Sequence, residues 1–185
     1  MSEQDLALAR AIREGVPGAF EHLMREHQGL CWHIVQRMVR HPDDARELCQ
    51  ETFLRAYRHI GQYRGDSPLK AWLGRIAYSL ALRHLEKQRR CVIAADANAA
   101  DDVEYADPVQ TETLHAQQAA GEGLHAAIDA LPPLQRTVLT LYHLDELSIP
   151  EIANITGLPD GTIKSHLFRS RRRLRRLLEE PGTTP

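Results

Sequence analysis

Residues 157–176, GLPDGTIKSHLFRSRRRLRR, hold seven of the 23 lysines and arginines of a 185-residue chain whose net charge is only -2. Apolar residues recur at three-to-four spacing, which predicts a helix over residues 162–178. A second helical pattern covers residues 149–155, and residues 156–160, TGLPD, which lie between the two patterns, form a short glycine-containing turn. A helix, a short turn and a longer basic helix are typical of a helix-turn-helix.

The faces of the predicted basic helix differ in chemistry. One face carries Ile163, Leu167, Leu174 and Leu177/Leu178, and we expect it to pack on Ile152 and Ile155. The exposed part of the helix then carries two rows of side chains. One row contains Thr162, Ser165, His166, Arg169 and Arg173, and the other contains Lys164, Phe168, Arg171 and Arg175. Hydrogen-bonding groups come first and cations later, as in a helix that enters the major groove and then follows phosphates.

The alternative is a solvated basic helix end favoured by the helix dipole. That effect is worth about 0.3–1 kcal/mol for each charge and explains one or two arginines. It does not explain seven basic residues on a helix-turn-helix, so the sequence predicts nucleic-acid contact.

Length and composition limit the number of domains and the class of protein. A chain of 185 residues fits one medium domain or two small ones, and 43% hydrophobic residues are enough for real cores. Three cysteines without a CxxC pair argue against a secreted disulfide framework. The charged N-terminus lacks an apolar signal segment and no apolar run reaches membrane-spanning length, so we expect a cytoplasmic protein.

Charge is unevenly distributed along the chain. Residues 70–90 carry six basic side chains and one acidic one, whereas residues 91–130 carry eight acidic side chains and no lysine or arginine. Two basic blocks, the second of them in residues 160–178, are therefore separated by an acidic one. Residues 91–112 have small and acidic residues without a sustained period, and they are interpreted as a flexible linker.

Helical periodicity extends over most of the remaining sequence. It covers residues 5–38, 43–58, 69–90, 114–130 and 134–142, with Ser67 expected to cap the third of these segments. The pattern predicts an all-α protein of two small helical domains joined by the linker.

Residues 147–174, LSIPEIANITGLPDGTIKSHLFRSRRRL, resemble both the C-terminal module of extracytoplasmic function (ECF, group IV) sigma factors and the LuxR-type regulator module. The N-terminal half distinguishes the two, because DDARELCQETFLRAYRHI (residues 43–60) and YRGDSPLKAWLGRIAYSLALRHLEKQRR (residues 63–90) resemble sigma region 2. Residues 130–174 resemble region 4. The resemblance implies region 2 in residues 1–90, a linker in 91–112 and region 4 in 113–185.

The resemblance also implies three sets of binding residues. Region 2 would dock on the clamp helices of the polymerase beta-prime subunit through Asp44, Glu47, Gln50, Glu51 and Arg55, with Arg46 replacing a usual acidic residue. The melted strand of the -10 element would contact Tyr63, Arg75, Ser79, Arg83 and Lys87, whereas Trp72 matches the apolar stripe and is interpreted as core. The -35 element would be read by Thr162, Lys164, Ser165, His166 and Arg169, with phosphate contacts from Arg172, Arg173 and Arg176.

Some positions depart from the usual pattern of the family. Ser79 stands where asparagine is typical, Arg83 where aspartate or asparagine is common, and His166 where arginine is frequent. These departures leave the preferred -10 base open and predict an altered -35 preference.

The expected partners are core RNA polymerase, including its beta flap, promoter DNA and an anti-sigma factor. The acidic linker is interpreted either as a segment that lies in a basic polymerase channel or as a solubilising tether.

Zinc binding by His27, Cys31 and His33 with Cys49 or Cys91 lacks a recognised ligand spacing, so no metal or other cofactor is expected. No Walker, GxSxG or HExxH motif is present, and no enzyme is predicted. Two alternatives stay open, a LuxR-type regulator and a sigma-like decoy that sequesters an anti-sigma factor.

Overall fold

The computed structural model describes residues 3–95 and 119–179, and over these residues it contains helices and no strand. The helices are α1 (Glu3–Arg13), α2 (Ala19–Met38), α3 (Pro42–His59), a 3-10 helix (Ile60–Gln62), α4 (Leu69–Ala95), α5 (Ala119–Asp129), α6 (Pro133–His143), α7 (Ile149–Thr156) and α8 (Asp160–Glu179). The predicted all-α class is confirmed. In the same part of the chain, no helix is long and apolar enough to cross a bilayer.

Two element boundaries differ from the sequence pattern. The periodic stretch 5–38 is two helices, because Gly15 and Gly18 take left-handed backbone angles, with φ of 71° and 80°, on either side of Pro17. Helix α4 runs to Ala95, five residues past the predicted end. Of the proposed linker, residues 96–112 lie outside the described residues, as do residues 113–118.

The N-terminal unit, α1 to α4, is built around α2. Helix α2 packs on α3 and α4, and it buries Leu23, Ile34 and Val35 completely against a core that includes Leu69 and Leu73. The first backbone N–H of α4 is hydrogen-bonded by a residue far away in the sequence, since the Leu69 N–H donates to Asp5 Oδ2 at 2.9 Å. The predicted Ser67 cap is wrong.

The C-terminal unit, α5 to α8, contains the helix-turn-helix. Helix α7 begins with a capping box in which the Ser148 and Glu151 side chains each bond the other's backbone N–H, and it ends at Gly157 with φ of 74°. Ile163 and Leu167 of α8 are buried with Ile152 and Ile155, as expected. Leu177 and Leu178 are 41% and 45% exposed, because the eight-residue α7 covers only part of the twenty-residue α8.

The two units pack directly on each other. Helix α2 contacts α6, and α4 contacts α7, so that buried side chains of both units belong to one continuous apolar cluster. The sequence predicted two helical domains but not this contact.

Candidate nucleic-acid interface

The first turns of α8 present a polar face to solvent. Lys164, Ser165, Phe168 and Arg169 are exposed and line one shallow depression. Ser165 Oγ donates to the Gly161 carbonyl at 2.9 Å, and Arg169 Nε donates to the Ser165 carbonyl at 3.3 Å. These bonds hold a hydroxyl acceptor and a guanidinium fork side by side, which suits the donor and acceptor pattern of base edges.

The other predicted -35 residues fall into two groups that differ in how far their side chains are buried. Thr162 and His166 are half-buried, whereas Arg172, Arg173 and Arg176 are exposed along the remainder of α8. Burial, with a smaller contribution from Arg169, lowers the pKa of His166. Burial therefore favours the neutral imidazole, which carries one donor and one acceptor nitrogen, whereas an arginine at this position would carry only donors; His166 Nδ1 is itself buried.

Two residues on α8 show features that periodicity alone did not specify. Arg171 lies over the Tyr142 ring, 5.6 Å from its centroid, and its Nη2 is 3.2 Å from His143 Nε2, which ties α8 to α6. Phe168 is 67% exposed, an unusual position for a large apolar ring, within the polar depression. An exposed ring beside hydrogen-bonding groups provides an apolar contact for a thymine methyl group.

A second basic surface lies on α4. Arg75, Ser79 and Arg83 line a groove of about 660 Å³ together with Arg55 and the half-buried Trp72. Lys87 is exposed one turn beyond Arg83. Four of the five predicted -10 residues therefore follow one face of a single helix, with cations placed to follow a phosphate backbone.

The fifth predicted -10 residue, Tyr63, is not part of this surface. Its side chain is 9% exposed, its hydroxyl donates to the Ser67 carbonyl at 2.7 Å, and its ring lies 5.6 Å from that of Trp72. The loop before α4 folds the Tyr63 ring inward, so the ring is not accessible for stacking in this conformation, and the assignment of Tyr63 to the -10 strand stays a prediction. Tyr78, at 8% exposure, is buried as well.

The outer face of α3 has a different character. Glu47 and Gln50 are exposed, whereas Asp44 Oδ2 lies 3.4 Å from His84 Nε2, and Glu51 Oε1 accepts from Arg55 Nε at 2.6 Å. Leu54 and Tyr57 are 51% and 55% exposed. Exposed apolar groups flanked by polar ones are characteristic of protein interfaces.

Arg136 joins the two units and was not singled out in the sequence. It is 1% exposed, and it donates from Nε to the Arg37 carbonyl at 2.6 Å and from Nη1 to the Asp129 carbonyl at 2.9 Å. Both carbonyls belong to last turns of helices, α2 and α5, which lack intrahelical partners. Arg37 also pairs with Asp129, at 3.3 Å, and Arg40 donates to the Asp129 carbonyl.

Two further polar contacts cross between the units. His33 Nδ1 lies 2.8 Å from Asp145 Oδ1, and Lys70 Nζ lies 2.5 Å from Glu151 Oε1. His33 therefore faces a carboxylate of the other unit. Within residues 3–95 and 119–179, no three histidine, cysteine or acidic side chains are grouped closely enough to hold a metal ion.

The ion pair between Lys70 and Glu151 predicts a dependence of stability on acid. The hydrogen bond from Lys70 lowers the pKa of Glu151 from 4.5 to about 2, with support from the Ser148 cap. A lowered carboxyl pKa stabilises the fold fully above the unfolded value and loses that contribution as the pH falls toward the folded value. We expect Glu151→Gln to reduce the acid-induced drop in melting temperature between about pH 5 and pH 2, compared with the exposed control Glu21→Gln. Equal acid profiles for both variants would contradict this role.

Comparisons with known proteins match both halves of the chain. Residues 23–91 match the family described as Sigma-70 region 2, and residues 122–174 match Sigma-70, region 4. The chain is 32% identical over 183 residues to the RNA polymerase sigma-H factor of Pseudomonas aeruginosa, covering 96% of this chain and 95% of that protein. It is 34% identical over 179 residues to the ECF RNA polymerase sigma-E factor of Escherichia coli, covering 92% and 93%.

Two solved structures share the fold. The sigma factor RpoE of Bartonella quintana, in complex with the anti-sigma factor NepR, is 25% identical, with a TM-score of 0.68 over 89% of this chain and 99% of that one. CnrH, in complex with the cytosolic domain of CnrY, is 22% identical, with a TM-score of 0.66 over 96% and 99%.

Proposed function

The chain belongs to the ECF group of the sigma-70 family, and from this membership we propose how its residues direct promoter-specific transcription initiation. Region 2 binds core polymerase through α3 and captures the -10 strand along α4, while region 4 reads the -35 element with α8. The observation that carries this proposal is the presence of both sigma regions, in order, in one chain whose α4 and α8 surfaces are basic and exposed.

Run-off transcription with purified core polymerase tests the function. A sigma factor supplied alone must give specific initiation from its promoter, whereas a LuxR-type regulator or a decoy gives none. The family matches disfavour the LuxR alternative, because that class does not carry sigma region 2. The chain is assigned no catalysis of its own, since the polymerase makes the phosphodiester bonds, and we place it in the cytoplasm with that enzyme.

We assign the -10 strand to Arg75, Ser79, Arg83 and Lys87. The double variant Arg83→Ala/Lys87→Ala removes two exposed cations from the strand path, and we expect weaker binding of single-stranded -10 DNA and a salt slope lower by roughly one to two charges. Fluorescence anisotropy of a labelled strand with the holoenzyme, over a salt series, measures both quantities. Arg10→Ala on α1 is the matched control. An unchanged slope in the double variant would remove these residues from the strand path.

We assign the polymerase contact to the outer face of α3. Asp44, Glu51 and Arg55 make ion pairs within the chain, so the exposed Glu47 and Gln50, beside Leu54 and Tyr57, present the free polar groups of this face. We expect Glu47→Lys/Gln50→Ala to weaken core-polymerase binding about tenfold or more, since a reversed charge at an interface is repulsive. Native gel titration with core enzyme measures the affinity, and Glu3→Lys on α1 is the control. Equal affinity of both variants would exclude this face.

An anti-sigma factor is proposed as the regulator of this chain. The support is the likeness to a sigma factor solved with its anti-sigma factor, at 25% identity and with nearly complete coverage of that chain. Co-purification of the chain with candidate proteins, followed by loss of run-off transcription on their addition, tests the proposal.

A further inference from the structure

We infer that Arg55 of α3 contacts a phosphate of the -10 strand rather than core polymerase, and that Glu51 is the residue that positions it. The family resemblance implied a polymerase contact for both residues. The new assignment rests on the proposed function, and it adds a second helix, α3, to the strand-binding surface of α4.

Arg55 does not share the outer face of α3. Successive residues of an α-helix are about 100° apart, so Arg55 points about 100° away from its neighbour Leu54, which is 51% exposed. Glu47, Gln50 and Tyr57 all lie within about 60° of Leu54 on the same helix. A polymerase contact on that outer face therefore leaves Arg55 at its edge.

Arg55 instead lines the groove beside α4. The exposed His59 and Gln62 line it as well, and the spacing of four and three residues places all three on one side of α3 and of the 3-10 helix that follows it. Arg75 and Arg83 line the same groove from α4. Cations from two helices therefore border the groove, as a path for a nucleic-acid backbone requires.

The groove also has an apolar surface close to its cations. The half-buried side chains of Trp72, Ile76 and Leu82 on α4 contribute this surface. Unpaired bases stack on aromatic and apolar groups while their phosphates follow positive charge. A cation on the α3 side can therefore hold the backbone of a strand whose bases lie against α4.

Glu51 fixes the direction of the Arg55 guanidinium. Glu51 Oε1 accepts from Arg55 Nε at 2.6 Å, and the two residues are one turn apart on α3. This bond engages Nε, and the two terminal NH2 groups carry the other four N–H donors of the side chain. A guanidinium that is already held in place loses less conformational freedom when it binds a phosphate. Glu51 acts through Arg55 and is therefore a positioning residue.

Arg55→Ala tests the strand contact in the holoenzyme, at a core polymerase concentration that saturates the chain. We expect single-stranded -10 DNA to bind about fivefold more weakly and the salt slope to fall by about 0.7, the value for one charge on a single strand. Fluorescence anisotropy over a salt series measures both. Arg58→Ala is the matched control, because Arg58 is exposed on α3 and is outside the set of described residues that line the groove. Arg55→Gln replaces Arg55→Ala in every comparison if the alanine variant loses helicity.

Native gel titration with core polymerase separates the two roles of Arg55. Arg55→Ala should match Arg58→Ala in core affinity, since neither side chain is on the outer face of α3. Lower core affinity than that of the control would return Arg55 to the polymerase contact and overturn the assignment. An unchanged salt slope for strand binding would overturn it as well.

Glu51→Ala separates positioning from simple electrostatics. Removing a carboxylate near a polyanion should by itself tighten strand binding, whereas loss of a positioning contact should weaken it, by about threefold. Glu51→Gln keeps an oxygen that can accept the bond from Arg55 Nε, so it should bind the strand at least as well as the unsubstituted chain. Strand binding that is not weakened in Glu51→Ala, or is equally weak in both variants, would reject Glu51 as a positioning residue.

The Arg83→Ala/Lys87→Ala variant keeps the role of Arg55 separate from the sigma function. Weaker strand binding in that variant, with unchanged binding in Arg55→Ala, would reject the α3 contact and leave the α4 path in place. Failure of the unsubstituted chain in run-off transcription would instead reject the sigma function itself.

Discussion

Arg169→Ala is expected to weaken binding to the -35 element by about 5–150-fold, corresponding to about 1–3 kcal/mol for a side chain that contacts a base edge. The guanidinium is exposed on the first half of α8, beside Lys164, Ser165 and Phe168. Its loss should also relax the sequence preference, because the contact that distinguishes one base from the others is removed. Competition binding of the holoenzyme to a library of single-base -35 variants measures affinity and preference together.

Arg172→Ala is the matched control for that experiment, since it removes an exposed arginine of the same helix that we assign to phosphate. It should weaken all promoter variants by a similar factor and lower the salt slope by about one charge. If Arg169→Ala also weakened binding to all promoter variants by a similar factor, Arg169 would not be a residue that reads a base.

Arg136→Ala is expected to lower the free energy of unfolding by about 3 kcal/mol or more. The substitution leaves the carbonyl groups of Arg37 and Asp129 without this donor, and each buried hydrogen bond to a charged group is worth about 1.5–3 kcal/mol. For a chain of this size the melting temperature should fall by about 6–12 °C. Thermal unfolding followed by circular dichroism measures the change.

Arg175→Ala is the control for the stability measurement, because its side chain is exposed on α8. Surface substitutions of this kind usually change stability by less than about 0.5 kcal/mol. Arg136→Lys should be intermediate, since one ammonium group retains the charge but cannot reproduce the two-armed contact. A melting temperature for Arg136→Ala equal to that of the control would show that Arg136 does not join the units.

The features predicted from sequence were those with local causes. The helix-turn-helix follows from the spacing of Ile163 and Leu167 and from the glycine at position 157, all within a few dozen residues. The basic residues of α4 and α8 were likewise visible, because charge on the solvent side of an amphipathic helix can be read from periodicity.

The features that the sequence did not reveal depend on distant partners. Arg136 finds the Arg37 carbonyl 99 residues away, and nothing in its neighbourhood in the sequence indicates a buried guanidinium. Tyr63 was assigned to the -10 strand from the family resemblance, and its packing against Trp72, which turns the ring inward, was not visible in the sequence. Gly74 looks in the sequence like a residue that only weakens its helix, and the close approach of Ile155 becomes visible only in the structure.

The carboxylate of Asp5 that caps α4 has a consequence for the order of folding during synthesis. Asp5 and Leu69 are 64 residues apart, so α1 leaves the ribosome well before its partner exists. Closing such a long loop costs chain entropy that is recovered only once the remaining contacts have formed. The bond from Leu69 to Asp5 therefore forms only after both ends of this loop have been made, and until then the first backbone N–H of α4 is left to water.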